Sequence, residues 1–575
     1  MNEITFQSLK RNLKKDFSTL KTTRVAVLAD SASQMYVQAL RGYGYELGIN
    51  LEVFEADYDQ IELQIYDTTS ELYKSKPEYI IVFYSSIKLL KKFAKLSLND
   101  KSTFADNHLI STENLYQTIQ CQLKCKVIYF NYHVINDAVF GNFANKTNVS
   151  YVYQLRKINY ELMNLSQKLK NLFILDLNIL QGQYGSEFIT DNKIYINTEL
   201  LLSIDFLPII AKQTLDIILS IQGKFKKCLI LDLDNTIWGG IIGDDGLENI
   251  QIGELGIGKA FTEMQLWAKQ LKQRGIILAI CSKNDEVVAK EPFEKHPDMV
   301  LRLEDIAIFV ANWNNKADNI NYIQRVLNIG FDSMVFLDDN PFERNMVRTH
   351  VQGITVPELP EDPADYLNYI RTLNLFETPS FTYEDEKRTV QYQEEAKRAV
   401  LQNQFTNEYD FLKSLNMVSL VESFNTFNIP RVAQLTQRSN QFNLRTIRYT
   451  DDDIQKIANS TDNITFAFSL SDKYGDYGLI SLVILKKGGD KTLFIDTWIM
   501  SCRVLKRNME NFVLNTIVKI AIEKDFSEII GEYLPTLKNS MVKDHYQNLG
   551  FEGNGGKWNL KIKNYEPKSC FIEIK

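Results

Sequence analysis

At 575 residues the chain exceeds what one hydrophobic core supports, so three or four domains are expected. Its 45% hydrophobic and 24% charged content is that of a soluble globular protein, and a formal net charge of -7 without a long basic block excludes general nucleic-acid binding. Six cysteines, at positions 121, 125, 228, 281, 502 and 570, match neither a disulfide framework nor zinc-ligand spacing, which predicts a cytoplasmic chain with reduced thiols. Residues 1–23 contain no continuous apolar run and read as a short amphipathic helix, so no signal peptide or membrane span is expected there.

Residues 1–222 are expected to form the first domain. Arg24-Val-Ala-Val-Leu-Ala is a strand that ends at the polar turn Asp30-Ser31, and a helical stretch follows through Gly42. Further strands at Leu51, Tyr79, Val127 and Leu172 continue a β/α alternation, the pattern of a parallel sheet. From Asp30 to Asp176 the pattern resembles an SGNH-hydrolase-type, flavodoxin-like fold, which implies Ser31 as nucleophile. A serine needs a general base, usually histidine, and none occurs between His133 and His296. The glycine that normally precedes the Asp-Ser pair is Ala29. A degenerate site with a docking or scaffold role is the expectation.

Residues 223–375 carry the chemistry. Cys228-Leu-Ile-Leu-Asp232-Leu-Asp234-Asn-Thr236-Ile-Trp238-Gly-Gly is an apolar strand that opens into two carboxylates one residue apart. On a continuing strand both would point to one side, where their repulsion must be offset by a cation or a shared proton. A second strand ends in Cys281-Ser282-Lys283-Asn284, with a hydroxyl suited to a phosphate oxygen. Lys316 opens a helix after Asn312-Trp313-Asn-Asn, and Met334-Val-Phe-Leu-Asp338-Asp339-Asn-Pro is another strand that ends in paired acids. Acids, a hydroxyl and an ammonium at one sheet edge are what Mg²⁺-dependent phosphoryl transfer requires.

These four features, in this order, resemble the motif set of the haloacid-dehalogenase (HAD) superfamily. The resemblance implies that Asp232 attacks phosphorus and that Asp234 is the acid/base and lends its main-chain oxygen to Mg²⁺. It implies Thr236, Ser282, Lys283 and Asn284 around the phosphate, Lys316 as neutralising cation, and Asp338 and Asp339 in the metal site with Asp232. The short connections from Asp232 to Ser282 and from Ser282 to Lys316 leave no room for a full cap domain, so an open HAD core is expected, suited to a partner with a long reactive arm.

The wording of three motifs is closer still: Lys227 to Gly240, Ala279-Ile-Cys-Ser-Lys-Asn and Phe336-Leu-Asp-Asp-Asn-Pro-Phe-Glu-Arg resemble FkbH-like proteins, subfamily IIIC. That group implies formation of a glyceryl thioester on an acyl carrier protein from 1,3-bisphosphoglycerate. Other members imply only a phosphatase of surface-polysaccharide or secondary-metabolite biosynthesis, with the flanking domains as scaffolds. Cys281 is a candidate acyl-carrying thiol if Lys283, Lys316 and a cation depress its pKa; a buried strand cysteine is the alternative.

Residues 376–406 read as a charged, solvated helical linker. Residues 407–575 place a basic turn, Ser501-Cys502-Arg503-Val-Leu-Lys506-Arg507, between a strand and a helix, a pyrophosphate-binding geometry. With Tyr546-Gln-Asn-Leu-Gly-Phe near the end, this part resembles a GNAT-like α/β acyltransferase domain. Lys506 stands in place of the glycine-rich turn, which argues against coenzyme A. Arg503, Lys506 and Arg507 remain candidates for a phosphopantetheine arm and Cys502 is a second candidate thiol, while Tyr533, Thr536, Lys538 and Asn539 have no derivable role.

Overall fold

The computed structural model describes residues 4–382, 385–386, 388–402, 405, 407–489, 491–501, 504–505, 507–536, 538–554 and 556–575, without the side chains of 395–397, 399–402, 408 and 554. The chain divides into two compact units, Met1–Leu219 and Ser220–Lys575. No described helix is long and apolar enough to cross a membrane.

In the first unit five strands, β1 (Lys21–Ala29), β2 (Ile49–Glu55), β3 (Tyr79–Phe83), β4 (Lys126–Phe130) and β5 (Leu172–Leu175), form a sheet of order β2-β1-β3-β4-β5. Every pairing is parallel, as the β/α alternation predicted. Asp30 and Ser31 follow β1 at the point where strand order reverses. Ser31 Oγ is buried and has no hydrogen-bond partner, while the nearby His133 Nδ1 lies 3.0 Å from Ser86 Oγ instead.

The second unit holds two sheets. β6 (Cys228–Leu231), β7 (Ile277–Ser282), β8 (Ile308–Ala311) and β9 (Met334–Leu337) are parallel, in the order β8-β7-β6-β9. All four strands point their carboxyl ends the same way, so the residues after β6, β7 and β9 share one edge. Between β6 and β7 lie only a short flap and the helix Gly258–Gln273, and between β7 and β8 only Glu286–Lys295 as a full helix. No cap is inserted.

The remaining strands, β10 (Met417–Glu422), β11 (Asn463–Asp472), β12 (Gly475–Lys487), β13 (Thr492–Met500), β14 (Glu528–Glu532), β15 (Glu552–Asn554), β16 (Lys557–Lys561) and β17 (Ile572–Ile574), form one mixed sheet. β13 and β14 are parallel and joined through the helix Met509–Glu523, the crossover expected of a GNAT-like domain. They pair over only Thr492–Phe494 and Glu528–Ile530. Beyond those pairs the segment Phe442–Arg445 enters the gap: Met500 N donates to Phe442 O, Leu534 N to Leu444 O, and Arg445 bridges Asp496 and Glu532. Asn539 Nδ2 donates to Asn443 O at 2.9 Å, which gives that asparagine a structural task the sequence did not disclose.

The stretch expected to be a solvated linker is instead packed on both sides. Its helix, Arg388–Gln402, buries Thr389, Tyr392 and Arg398. Arg398 pairs with Asp472 at 2.9 Å and lies over the Tyr477 ring, while Gln393 Nε2 donates to Ile306 O. A Cβ on Gly275, whose φ is +91°, would lie 2.7 Å from Asp385 Cβ, so this close approach requires glycine. A charged sequence hid the burial because Arg398 is matched by an acid and a ring far away in the chain.

Candidate active site

β6 delivers Asp232 to the sheet edge, where its N–H donates to Leu337 O and its side chain is buried. Lys316, the first residue of the helix Lys316–Leu327, reaches across: Nζ lies 2.8 Å from Asp232 Oδ2 and 2.6 Å from Asp338 Oδ2. Burial works against the Lys316 ammonium, but Asp232 and Asp338 outweigh it and hold its pKa above the ordinary lysine value. Asp338 is pushed up to about 7 by burial and by Asp232 beside it, in spite of Lys316. Asp339 rises to about 6 for the same two reasons.

Carboxylate oxygens of Asp232, Asp338 and Asp339 all lie within 4.8 Å of one another, and one ammonium faces these three acids. Asp232 Oδ1 is buried without a hydrogen-bond partner. A buried, orphaned carboxylate oxygen among acids that resist ionisation is the environment a hard divalent cation completes, since Mg²⁺ takes oxygen ligands. The residues therefore fit a metal. Asp338 spends Oδ2 on Lys316 and Oδ1 on the Asn340 N–H, so Asp232 Oδ1 and the half-buried Asp339 are the carboxylates left to hold one.

Asp234 is fixed by three donors. Trp238 Nε1 (2.9 Å) and Ile242 N (3.0 Å) donate to Oδ1, and Asn284 Nδ2 (2.8 Å) donates to Oδ2. The turn that carries Trp238 and Ile242 is tight: Gly240 has φ +91°, and a Cβ there would lie 2.6 Å from Asp245 Oδ2, which accepts the Ile241 N–H. Trp238 is fully buried and packs edge-on against Phe293.

Four residues expected around the phosphate have other work as well. Thr236 is buried and its Oγ1 accepts the Asp339 N–H at 3.1 Å, so it shapes the acidic loop and keeps its own O–H to donate. Asn284 bridges Asp234 to Ser282 Oγ, and Lys283 Nζ pairs with Glu343 Oε1 at 2.6 Å. Ser282 closes β7 at the shared edge. Sequence reasoning passed over Trp238, Glu343 and Arg344, although all three stand inside the quoted motifs. Arg344 Nη1 donates to the main-chain oxygens of Asp338 and Asp339 and so pins the second acidic turn from behind.

The thiol and the basic turn require correction. Cys281 is fully buried among Ile277, Ala279, Ala317 and Ile320, on the opposite face of β7 from Leu278 and Ile280. Burial raises its thiol pKa far more than Lys316 lowers it, so no depressed thiolate forms there. Arg507 is buried too, with its guanidinium 3.7 Å from Asp472 and stacked over Tyr477, and it does not present a phosphopantetheine site. Cys502, Arg503 and Lys506 lie outside the described residues.

Comparison with known proteins places this geometry. Residues 24–219 match the family model described as FkbH, N-terminal domain. A solved structure, the N-terminal part of the protein BF1531 from Bacteroides fragilis, contains a phosphatase domain and is complexed with Mg. It is 57% identical to this chain, which covers 100% of it over 66% of its own length, with a TM-score of 0.64. No curated protein matches. A spermidine N-acetyltransferase from Vibrio cholerae (11% identity, 26% of this chain, 97% of that one, TM-score 0.21) and a GNAT-family acetyltransferase from Staphylococcus aureus (9%, 25%, 99%, 0.21) are similar too weakly to bear on chemistry. The chain belongs to the FkbH-like proteins, enzymes built on a HAD phosphatase core.

Proposed function

We propose that this enzyme is Mg²⁺-dependent and removes phosphate from a three-carbon acyl donor, 1,3-bisphosphoglycerate, while its glyceryl group passes to the phosphopantetheine thiol of an acyl carrier protein. The observation that carries the phosphoryl half is the buried Asp232–Lys316–Asp338 cluster with its orphaned Asp232 Oδ1. Asp232 and Asp339, with the Asp234 main-chain oxygen, would hold Mg²⁺, which supplies positive charge against the phosphate oxygens.

Asp232 attacks phosphorus, and the P–O bond to the leaving group breaks as an aspartyl-phosphate forms. Asp234, aimed by Trp238, Ile242 and Asn284, protonates the departing oxygen and then takes the proton of the water that releases phosphate. Lys316, 2.8 Å from Asp232 Oδ2, meets the charge brought by the substrate. In the acyl half the carrier thiolate attacks the C1 carbonyl, the C–S bond forms as the C1–O bond breaks, and the C1 phosphate leaves, so the phosphorus that Asp232 attacks is that of the C3 ester. Cys281 takes no part, because its thiol is enclosed in the core.

The carrier half is supported by the rim. Each loop that carries a motif also exposes an apolar side chain: Ile241 (45% exposed) on the flap, Val287 (80%) after Asn284, Trp313 (75%) before Lys316 and Phe342 (68%) after Asp339. Large apolar side chains clustered around an uncapped polar site favour a macromolecular partner over a free metabolite. The test is incubation with 1,3-bisphosphoglycerate, Mg²⁺ and a phosphopantetheinylated carrier protein, read by intact-protein mass. A glyceryl adduct is expected. Phosphate release without an adduct assigns a stand-alone phosphatase instead.

A further inference from the structure

The second unit contains a cavity of about 470 Å³ that the phosphoryl chemistry does not use. Lys227, Arg388, Arg431, Arg438 and Lys538 line it, against Asp332 as the single carboxylate on its wall among the described residues. Its place in the fold separates it from Asp232. Lys227 immediately precedes β6, Ser333 immediately precedes β9 and Asn328 follows the helix Lys316–Leu327, so the cavity meets the starts of both strands and the end of that helix. The catalytic side chains sit at the opposite ends of the same three elements. A four-residue strand spans roughly 13 Å and a twelve-residue helix about 18 Å, which sets the scale of that separation.

We infer that this cavity binds a small molecule carrying a diphosphate or paired phosphate esters, at a site independent of the Asp232 centre. Three observations support it. Arginine forks dominate the wall, and guanidinium groups bind phosphate oxygens in pairs. Asp385, behind the wall, is shared between Arg388 (2.5 Å) and Arg438 (2.6 Å), so one acid serves two guanidinium groups. The Arg438 side chain is only 10% exposed, yet its Nε has no hydrogen-bond acceptor. Burial, with Arg388 and Arg431 nearby, pushes Arg438 down to about 9, the mark of a cationic cluster that a bound anion would relieve.

The remaining wall fixes the kind of molecule. Leu435, Phe442 and Met500 give it an apolar side, so the ligand carries an organic portion beside its phosphates. Phe442 also opens the segment that fills the gap between β13 and β14, so occupancy of the cavity touches both sheets of this unit.

The experiment is calorimetric titration of the full chain with inorganic pyrophosphate in EDTA, where the metal-free carboxylates at the catalytic edge repel an anion. Binding at one site per chain is expected. Affinity should fall at least about tenfold in Lys538→Gln and in Lys227→Gln, each checked for an unchanged melting profile, and stay within about twofold in Asp232→Asn. Absence of binding to the unmodified chain, an affinity in either lysine variant that matches that of the unmodified chain, or loss in Asp232→Asn would overturn the assignment.

Discussion

Trp238 Nε1 donates to Asp234 Oδ1 at 2.9 Å, so a fully buried indole aims the carboxylate that must trade a proton with the leaving group. Ile242 N and Asn284 Nδ2 hold the same carboxylate, and neither can replace a donor that comes from the indole's direction. Trp238→Phe keeps the ring and removes the donor. Its kcat on a phosphate ester should fall about tenfold while KM changes little, because the lost contact orients an acid rather than binding substrate. Stopped assays of phosphate release across substrate concentration check this; a rise in KM matched by an equal fall in kcat/KM at unchanged kcat would place Trp238 in ground-state binding instead.

The two acids of the second motif should behave differently. Asp338 uses both oxygens on Lys316 and Asn340, whereas Asp339 retains carboxylate capacity for a cation. Asp339→Asn should weaken Mg²⁺ binding about tenfold or more at nearly unchanged stability. Asp338→Asn removes a carboxylate that burial and Asp232 already disfavour in its ionised form, and Lys316 keeps Asp232 as its partner, so this variant should retain the Mg²⁺-dependent rise of its melting midpoint. Thermal melts of each variant with and without Mg²⁺ separate the two outcomes, since a cation that binds only the folded state raises the midpoint.

Cys281→Ala should leave both phosphate release and carrier acylation intact, at a stability cost of about 1 kcal/mol for the small cavity. In the native protein a thiol reagent should spare Cys281 and modify the exposed Cys121 first. Labelling of Cys281 in the folded enzyme, or loss of the acyl product in the alanine variant, would contradict the buried placement.

Trp313 and Phe342 stand 75% and 68% exposed beside Lys316 and Asp339. Replacing both by alanine removes contact area at the rim without touching a group that reacts. The double variant should raise the KM for a carrier-protein substrate about tenfold and leave turnover of a small phosphate ester within about twofold. Paired assays on the two substrates read the difference.

The motifs were legible because each is local: an apolar strand of four to six residues, then the acid, hydroxyl or amine it delivers. By its place in the motif Cys281 reads as a neighbour of the phosphate, yet Ile277, Ala279 and Cys281 alternate with Leu278, Ile280 and Ser282, so the thiol turns away from the phosphate side. What the sequence hid is non-local. Arg398 is buried only because Asp472 and Tyr477 meet it, and Asn539 matters only because Asn443 enters the gap beside β13. Thr236 shows the same limit at the site itself: its spacing marks it for phosphate, and only the fold adds that its oxygen also accepts the Asp339 N–H.

Three histidines set an acid limit on stability. His108 and His133 are held down to about 4 and His545 to about 3, in each case chiefly by burial that disfavours the imidazolium. His545 is enclosed by Trp498, Phe442 and Tyr546, and its Nε2 has no hydrogen-bond partner. In the unfolded chain histidine titrates near 6.5, so below that pH the unfolded state takes up protons the folded state refuses. Stability is therefore unaffected by these groups above about pH 6.5, falls as pH drops toward the folded values, and levels off once both states are protonated. Each histidine should withdraw on the order of 3 kcal/mol across that window. His545→Phe keeps an aromatic ring in the same enclosure and cannot protonate, so its melting midpoint should drop less than that of the unmodified chain between about pH 7.5 and about pH 5. Parallel pH dependences for the two proteins would show that His545 is already charged, or solvated, in the native state.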